Sequence, residues 1–154
     1  MTTANIHIQA AQPSEAQAIL ALWREAEATV SPTDTIEDIQ RAIATDSLNF
    51  LLARHQGRIV GSIIGAFDGW RGNIYRLVVH PDCRRHGIAT ALVGEVEQRF
   101  KAKGVKRITA LVEKEHAYAV SFWTAVHYEL DGRIARYIHN LPQEIHPEIS
   151  RFEA

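Results

Sequence analysis

Ile6 and Ile8 alternate with polar neighbours across Asn5–Ala10, the period-two pattern of a short, half-buried strand. After Pro13–Ser14 the spacing changes. Ile19, Leu22, Trp23 and Ala26 fall on one helical stripe, which Ser31–Pro32–Thr33–Asp34 breaks. A second short helix is expected over Thr35–Ala44, with Ile36, Ile39 and Ile43 turned inward. Phe50–Arg54 and Ile59–Phe67 are apolar runs joined by His55–Gln56–Gly57–Arg58, the signal of a hairpin. Asp68–Gly69 marks a second turn, and a strand over Asn73–His80 ends at Pro81. These three strands are expected to form an antiparallel meander.

The clearest amphipathic helix follows, at Gly87–Ala102. Ile88, Leu92, Val96 and Phe100 recur at four-residue spacing, and Gly104 is placed to terminate it. Arg107–Glu113 reads as a strand. The next helix carries Ala119, Phe122, Trp123 and Val126 on one side, and Trp23, Phe122 and Val126 read as core. A last hairpin is expected from His127–Leu130 and Arg133–His139 around Asp131–Gly132, and the stretch after Pro142 reads as a loosely held extension. The order is β-α-α-β-β-β-α-β-α-β-β. Its strand–helix–strand unit from Asn73 to Glu113 calls for a parallel pair with a right-handed crossover. The expected fold class is α/β (α+β), a mixed, mostly antiparallel sheet flanked by helices, with one domain over 1–141 and a tail over 142–154.

Composition narrows the partners. The 154 residues suit one domain, and a formal net charge of −1 lacks the broad basic footprint of a dedicated nucleic-acid binder. The single cysteine, Cys83, excludes an internal disulfide framework and a Cys-rich zinc site, and no His pair has metal-ligand spacing, so no metal is expected. Gly61, Ser62 and Gly65 interrupt the longest apolar run, so no membrane span is expected. The first ten residues show no basic region followed by an apolar core, which makes the cytoplasm the expected setting.

The segment with chemistry in it is Leu77-Val78-Val79-His80-Pro81-Asp82-Cys83-Arg84-Arg85-His86-Gly87-Ile88-Ala89. It is a strand end, a basic loop and a helix start. The first turn of a helix presents unpaired N–H groups and about half a positive charge. Gly87 removes a Cβ where a ligand must approach, and Arg84 and Arg85 supply full charges for phosphate oxygens. Solvated arginines on a tight turn would look the same in isolation; the strong strand before and the best helix after favour an anion site. A Walker loop needs Gly-Lys-Ser/Thr, and a Rossmann fingerprint needs three spaced glycines after an early strand. Neither string is present.

Arg84, Gly87 and Ala89 do stand at the three defined positions of Gln/Arg-x-x-Gly-x-Gly/Ala, and the segment resembles the pyrophosphate loop of the GCN5-related N-acetyltransferase (GNAT) superfamily. Element order extends the resemblance from Ile6 to His139. A second family pattern, Asn-x-x-Ala-x-x-x-Tyr then Gly-Phe, reads here as His116, Ala119, Trp123, then His127-Tyr128, with only Ala119 identical. The resemblance implies acetyl-CoA as acetyl donor, a primary amine as acceptor, and no metal. It implies cofactor contacts from Leu77, Val78 and Val79, from Arg84, Arg85, His86, Gly87, Ile88, Ala89 and Thr90, and from His116. Val79 N–H would be the oxyanion donor.

An amine with pKa near 10.4 is only about 0.04% neutral at pH 7, so a proton acceptor is needed. The strand positions where the superfamily carries Glu or His hold Asn73 and Tyr75. Tyr75 is the candidate for orienting a water, with Glu113 or His116 as the proton sink. Trp123 replaces the tyrosine that would protonate the thiolate, leaving Tyr118 and Tyr128 as other donors. The resemblance also places the loop between the first two helices over the acceptor. Glu25, Glu27, Asp34, Glu37 and Asp38 flank it, which suits a cationic amine or a solvated helix face equally. Attack is expected to be direct, in a ternary complex. A non-catalytic acyl-CoA-binding sensor or regulatory module is the alternative, and a nucleotide-binding regulator a weaker third. Dimers being common in the superfamily, a homodimer is open.

Overall fold

The computed structural model describes residues 5–143. Its elements are β1 (Ile6–Ala10), α1 (Ala16–Glu25), α2 (Ile36–Ile43), β2 (Leu48–His55), β3 (Arg58–Phe67), β4 (Gly72–Val79), α3 (Ile88–Ala102), β5 (Ile108–Ala110) and α4 (Ala117–Ala125). The strands form one sheet in the order β1-β2-β3-β4-β5. The first four pair antiparallel and β4 pairs parallel with β5, as the helical crossover between them requires. The mixed, mostly antiparallel sheet with helices on both faces agrees with the expected class.

Strand alternation builds two cores. Leu51 and Ala53 of β2 face a cluster with Val60, Ile63, Ile74 and the Ile88, Leu92, Val96 and Phe100 stripe of α3. Phe50 and Leu52 face the other way, against Ile19, Leu22 and Trp23 of α1 and Ile39 of α2. Thr35 caps α2 by accepting a hydrogen bond from Asp38 N–H. α3 lies close because the sheet offers it a groove of glycines. A Cβ at Gly61 would come within 3.2 Å of Ile88 and Leu92, one at Gly65 within 2.7 Å of Val96, and one at Gly72 within 2.7 Å of Phe100.

One polar link crosses the interior. Ser62 Oγ accepts a hydrogen bond from Trp23 Nε1 at 2.9 Å and donates to Arg76 C=O at 3.0 Å. Arg76 sits at a bulge in β4: its φ is +52, and the pairing with β3 shifts between Ser62 and Ile64. Ser62→Ala would strand a buried indole N–H and a carbonyl. We expect a loss of about 2 kcal/mol in urea unfolding, from two buried groups left without partners.

Two expectations fail at the C-terminal side. β5 covers three residues rather than the whole of Arg107–Glu113. The hairpin expected at His127–Leu130 and Arg133–His139 does not form: these residues belong to no strand. The apolar alternation is there, but a strand also needs a neighbour. Tyr128 is anchored, its N–H on Trp123 C=O and its hydroxyl on Glu97, and beyond it Leu130, Ile134, Tyr137, Ile138 and Leu141 are 71–94% exposed. Of the expected tail over 142–154, residues 144–154 lie outside the described residues.

Candidate functional site

β4 and β5 pair only from Gly72–Ile108 to Ile74–Ala110. Beyond Ile74 the two part, and Leu77–Val79 keeps β3 on one side and an open wedge on the other. His80 N–H donates to Val60 C=O of β3 at 2.8 Å. Successive main-chain groups of a strand point to opposite edges, so Val79 N–H turns into the wedge. An open strand edge of this kind accepts an extended, amide-bearing ligand.

Pro81–Cys83 makes a single tight turn at the end of the strand. His80 shapes it: Asp82 N–H donates to His80 Nδ1 at 3.2 Å, and Nε2 sits 2.8 Å from Glu25 Oε2 and 3.1 Å from the Arg58 guanidinium. Arg85 (φ +65) and Gly87 (φ +77) then take left-handed conformations, and Gly87 is the N-cap of α3 without any side-chain bond. Ala91 N–H is the first to find an intrahelical acceptor, on Gly87 C=O. The N–H groups of the preceding helical residues have no such acceptor, as at any helix start. A winding of this type turns main-chain donors toward one point and favours an anion there.

A cavity of about 130 Å³ opens at that point, lined by Val79, Cys83, Arg84, Arg85, Gly87, Ile88, Ala89, Thr90, Tyr118 and Phe122. Seven of the eleven residues expected to contact a cofactor therefore share one wall. Leu77 and Val78 are not in the lining; they form the strand that leads to it, packed into opposite cores. His86 and His116 are also outside it, and His116 lies 3.8 Å from Glu113 at the end of the β5–α4 loop. Tyr75 lies within β4 opposite Ile64, while Glu113 follows β5, so the two expected catalytic residues come from different elements.

Sequence reasoning missed two lining residues in this role. Phe122 was read as plain core, yet it borders the cavity. Cys83, taken from the sequence only as a lone thiol without a disulfide partner, is buried in the α3-side core and forms part of the same wall. Tyr118 is better placed than expected, with the Arg84 guanidinium 5.5 Å from its ring centre. Trp123 is buried, edge-on to Phe122 and Tyr128, and absent from the lining.

Tyr128 is poorly placed as a proton donor: its hydroxyl donates to Glu97 and it does not line the cavity. Burial and its hydrogen bond to Glu97 push its phenol far above the usual range. Tyr128→Phe is expected to cost about 1 kcal/mol of stability through the lost bond. Turnover followed by thiol release should stay within about twofold, since an uninvolved hydroxyl contributes nothing to the barrier.

The acids near the α1–α2 loop are largely committed. Asp34 accepts from Arg76 at 2.6 Å, Glu25 from His80, and Asp38 from the Thr35 hydroxyl. Arg76 also donates to Thr29 C=O and lies over Trp23, 4.8 Å from its ring centre. One arginine thus latches the loop to the β4 bulge. Among the described residues no three His, Cys, Asp or Glu side chains are grouped to hold a metal, and no helix is long and apolar enough to cross a membrane.

Comparison with known proteins adds the following. The family described as acetyltransferase (GNAT) matches residues 16–128. An acetyltransferase of Yersinia enterocolitica is 32% identical over 129 residues, covering 84% of this chain and 92% of the relative. Among solved structures, an aminoglycoside acetyltransferase from an uncultured soil metagenomic sample superposes with a TM-score of 0.74 at 17% identity, covering 91% of this chain and 99% of the other. The PaiA N-acetyltransferase of Thermoplasma acidophilum, in complex with coenzyme A, gives a TM-score of 0.74 at 18% identity, covering 82% of this chain and 93% of the other.

Proposed function

The chain belongs to the acetyltransferase (GNAT) family and is an acetyl-CoA-dependent N-acetyltransferase, and from that premise we propose which residues perform the transfer. The observation that carries the assignment is the loop at 84–90, where two left-handed residues open onto a cavity beside the free edge of β4.

In this reading the N–H groups of Arg85 through Thr90, with the Arg84 and Arg85 side chains, hold the pyrophosphate. The main chain of Leu77–Val79 pairs with the amide-bearing arm. Val79 N–H faces the thioester carbonyl and takes up the negative charge that develops on its oxygen. Phe122 and Cys83 give the arm an apolar wall. His116 sits too far along the β5–α4 loop to line the cavity and serves instead with Glu113 as the proton sink, through a water that Tyr75 orients. The neutral amine attacks the carbonyl carbon, the carbon–sulfur bond breaks, and the thiolate leaves. A thiol of pKa about 8.5 needs little help from an acid at neutral pH, which makes the buried Trp123 tolerable at its position.

The acceptor is a primary amine, on a small molecule or a protein. The engagement of Asp34, Glu25 and Asp38 weakens the case for a strongly cationic one. Neither nucleic acid nor membrane enters as a partner. A cytoplasmic setting suits an unpaired thiol such as Cys83. The domain is taken as 1–141 and the tail as 142–154. A homodimer belongs to the same reading, supported by the apolar side chains exposed beyond Tyr128.

The test is acetyl-CoA turnover over a panel of amines, read as thiol release. At least one primary amine should exceed background hydrolysis, and Tyr75→Phe or Glu113→Gln should lower its turnover roughly 10²- to 10⁴-fold, the usual range for general base catalysis. A panel with no turnover, alongside tight acetyl-CoA binding, would overturn the assignment of a working amine site.

A further inference from the structure

A second cavity lies between α1 and the β2–β3 turn, with a volume of about 410 Å³, inside the range of small-molecule sites. It shares no lining residue with the cavity at the 84–90 loop. Leu22 and Ile59 in its wall belong to the core under α1, whereas Val79, Cys83 and Ile88 at the loop belong to the core under α3. Ala18, Ala21, Leu22 and Ile59 supply apolar surface, and Glu15, Arg54, Glu25 and Arg58 supply charge.

The charges differ in how they are satisfied. Arg54 and Glu15 form an ion pair with each other. Glu25 and Arg58 do not: among the described residues no ion pair joins them, although Glu25 Oε2 lies 2.8 Å and the Arg58 Nη2 3.1 Å from the same atom, His80 Nε2. His80 is buried, while Glu25 is more than half exposed and Arg58 is exposed. One interior imidazole thus pins two surface side chains of opposite charge and keeps them apart. Each retains atoms that no described residue engages, the second oxygen of Glu25 and the rest of the Arg58 guanidinium. Side chains of this length would otherwise lose rotamer freedom on gripping a ligand; here that ordering is complete beforehand.

We propose that this cavity binds a free α-amino acid with an aliphatic side chain, its ammonium on Glu25, its carboxylate on Arg58 and its side chain along Ala18, Ala21 and Leu22. The spacing selects the class. A carboxylate and a guanidinium held on either side of one nitrogen call for a ligand whose own opposite charges are neighbours, and an α-amino acid carries both on one carbon. The guanidinium fork matches a carboxylate with paired donors. A diamine or a dicarboxylate would set one of its charges against a like charge, and a singly charged ligand would leave one wall unanswered. The site is separate from the acetyl-transfer assignment, and the amino acid held there is a second ligand rather than the acceptor.

The experiment is calorimetric titration of the full chain with L-leucine in the presence of coenzyme A, which has no acetyl group to give. Saturable binding is expected. 4-Methylpentanoate and 3-methylbutylamine each keep the side chain and one charge, and should bind about 10- to 100-fold more weakly, as for a lost hydrogen bond to a charged group. Arg58→Ala should weaken leucine by the same factor. Because that variant also disturbs His80, Ala21→Phe is the second: Ala21 is exposed on α1, so the ring fills the cavity without entering either core. It should abolish leucine binding with coenzyme A binding unchanged. Leucine that does not bind, or binds no better than the two singly charged analogues, overturns the proposal. So does leucine binding that survives either variant, which would seat the amino acid elsewhere, such as among the acceptor amines.

Discussion

Gly87→Glu is expected to raise the dissociation constant for coenzyme A at least 100-fold, about 2.8 kcal/mol, measured by calorimetric titration. Two effects act together. Gly87 has φ +77, a conformation that costs an L-residue roughly 1–2 kcal/mol. The new carboxylate would also stand at the positive end of α3, beside the cavity assigned to the pyrophosphate, repelling the phosphates and offering the first-turn N–H groups a competing acceptor. Gly57→Glu separates the two. Gly57 has φ +76 at the β2–β3 turn, with nothing within 4 Å of an added Cβ, so it carries the same backbone strain away from the loop. It should lower stability comparably and leave coenzyme A affinity alone. Equal affinities in both variants would mean that the diphosphate binds somewhere else.

Gly65→Val is expected to lose about 3 kcal/mol of unfolding free energy, at the upper end of ordinary overpacking. A Cβ there would meet Val96 Cγ1 at 2.7 Å and Phe100 Cζ at 3.2 Å. Both neighbours are fully buried and cannot swing aside, so α3 itself must lift. Because the N-terminus of α3 is part of the cavity wall, coenzyme A binding should weaken as well, although residue 65 is remote from the loop. Gly94 is the internal contrast. It lies within the same helix with nothing within 4 Å, and Gly94→Ala should gain about 0.8 kcal/mol from helix propensity alone. A chemical denaturation series over the two variants checks both signs. A neutral Gly65→Val would show that the close seating of α3 is not needed.

Much of the fold was legible because it rests on short-range pattern. The four-residue spacing of Ile88, Leu92, Val96 and Phe100 and the turn at Gln56–Gly57 require no knowledge of distant partners. The geometry of the loop at 84–90 was legible in the same way, because a glycine, two arginines and a helix start are contiguous there; the anion it is proposed to hold is a separate question. Legibility failed where partners are distant. Nothing local in Phe122 or Cys83 says which cavity they border. Nothing in Asp34 shows that Arg76, forty-two residues later, claims it. The last hairpin failed for the opposite reason: its local pattern is sound, and what a strand lacks when nothing lies beside it is invisible in the letters.

The Arg76 latch separates two kinds of evolutionary freedom. Its guanidinium grips residues 29 and 34 on the helix α1 face, while the loop at 84–90 and its cavity belong to the face covered by α3 and α4. If the covering segment over residues 26–35 sorts acceptors, its composition can drift, or be redesigned, without retuning the grip on the donor. At the arginine that independence ends, since a replacement there would loosen the cover and relax the kinked strand in a single step.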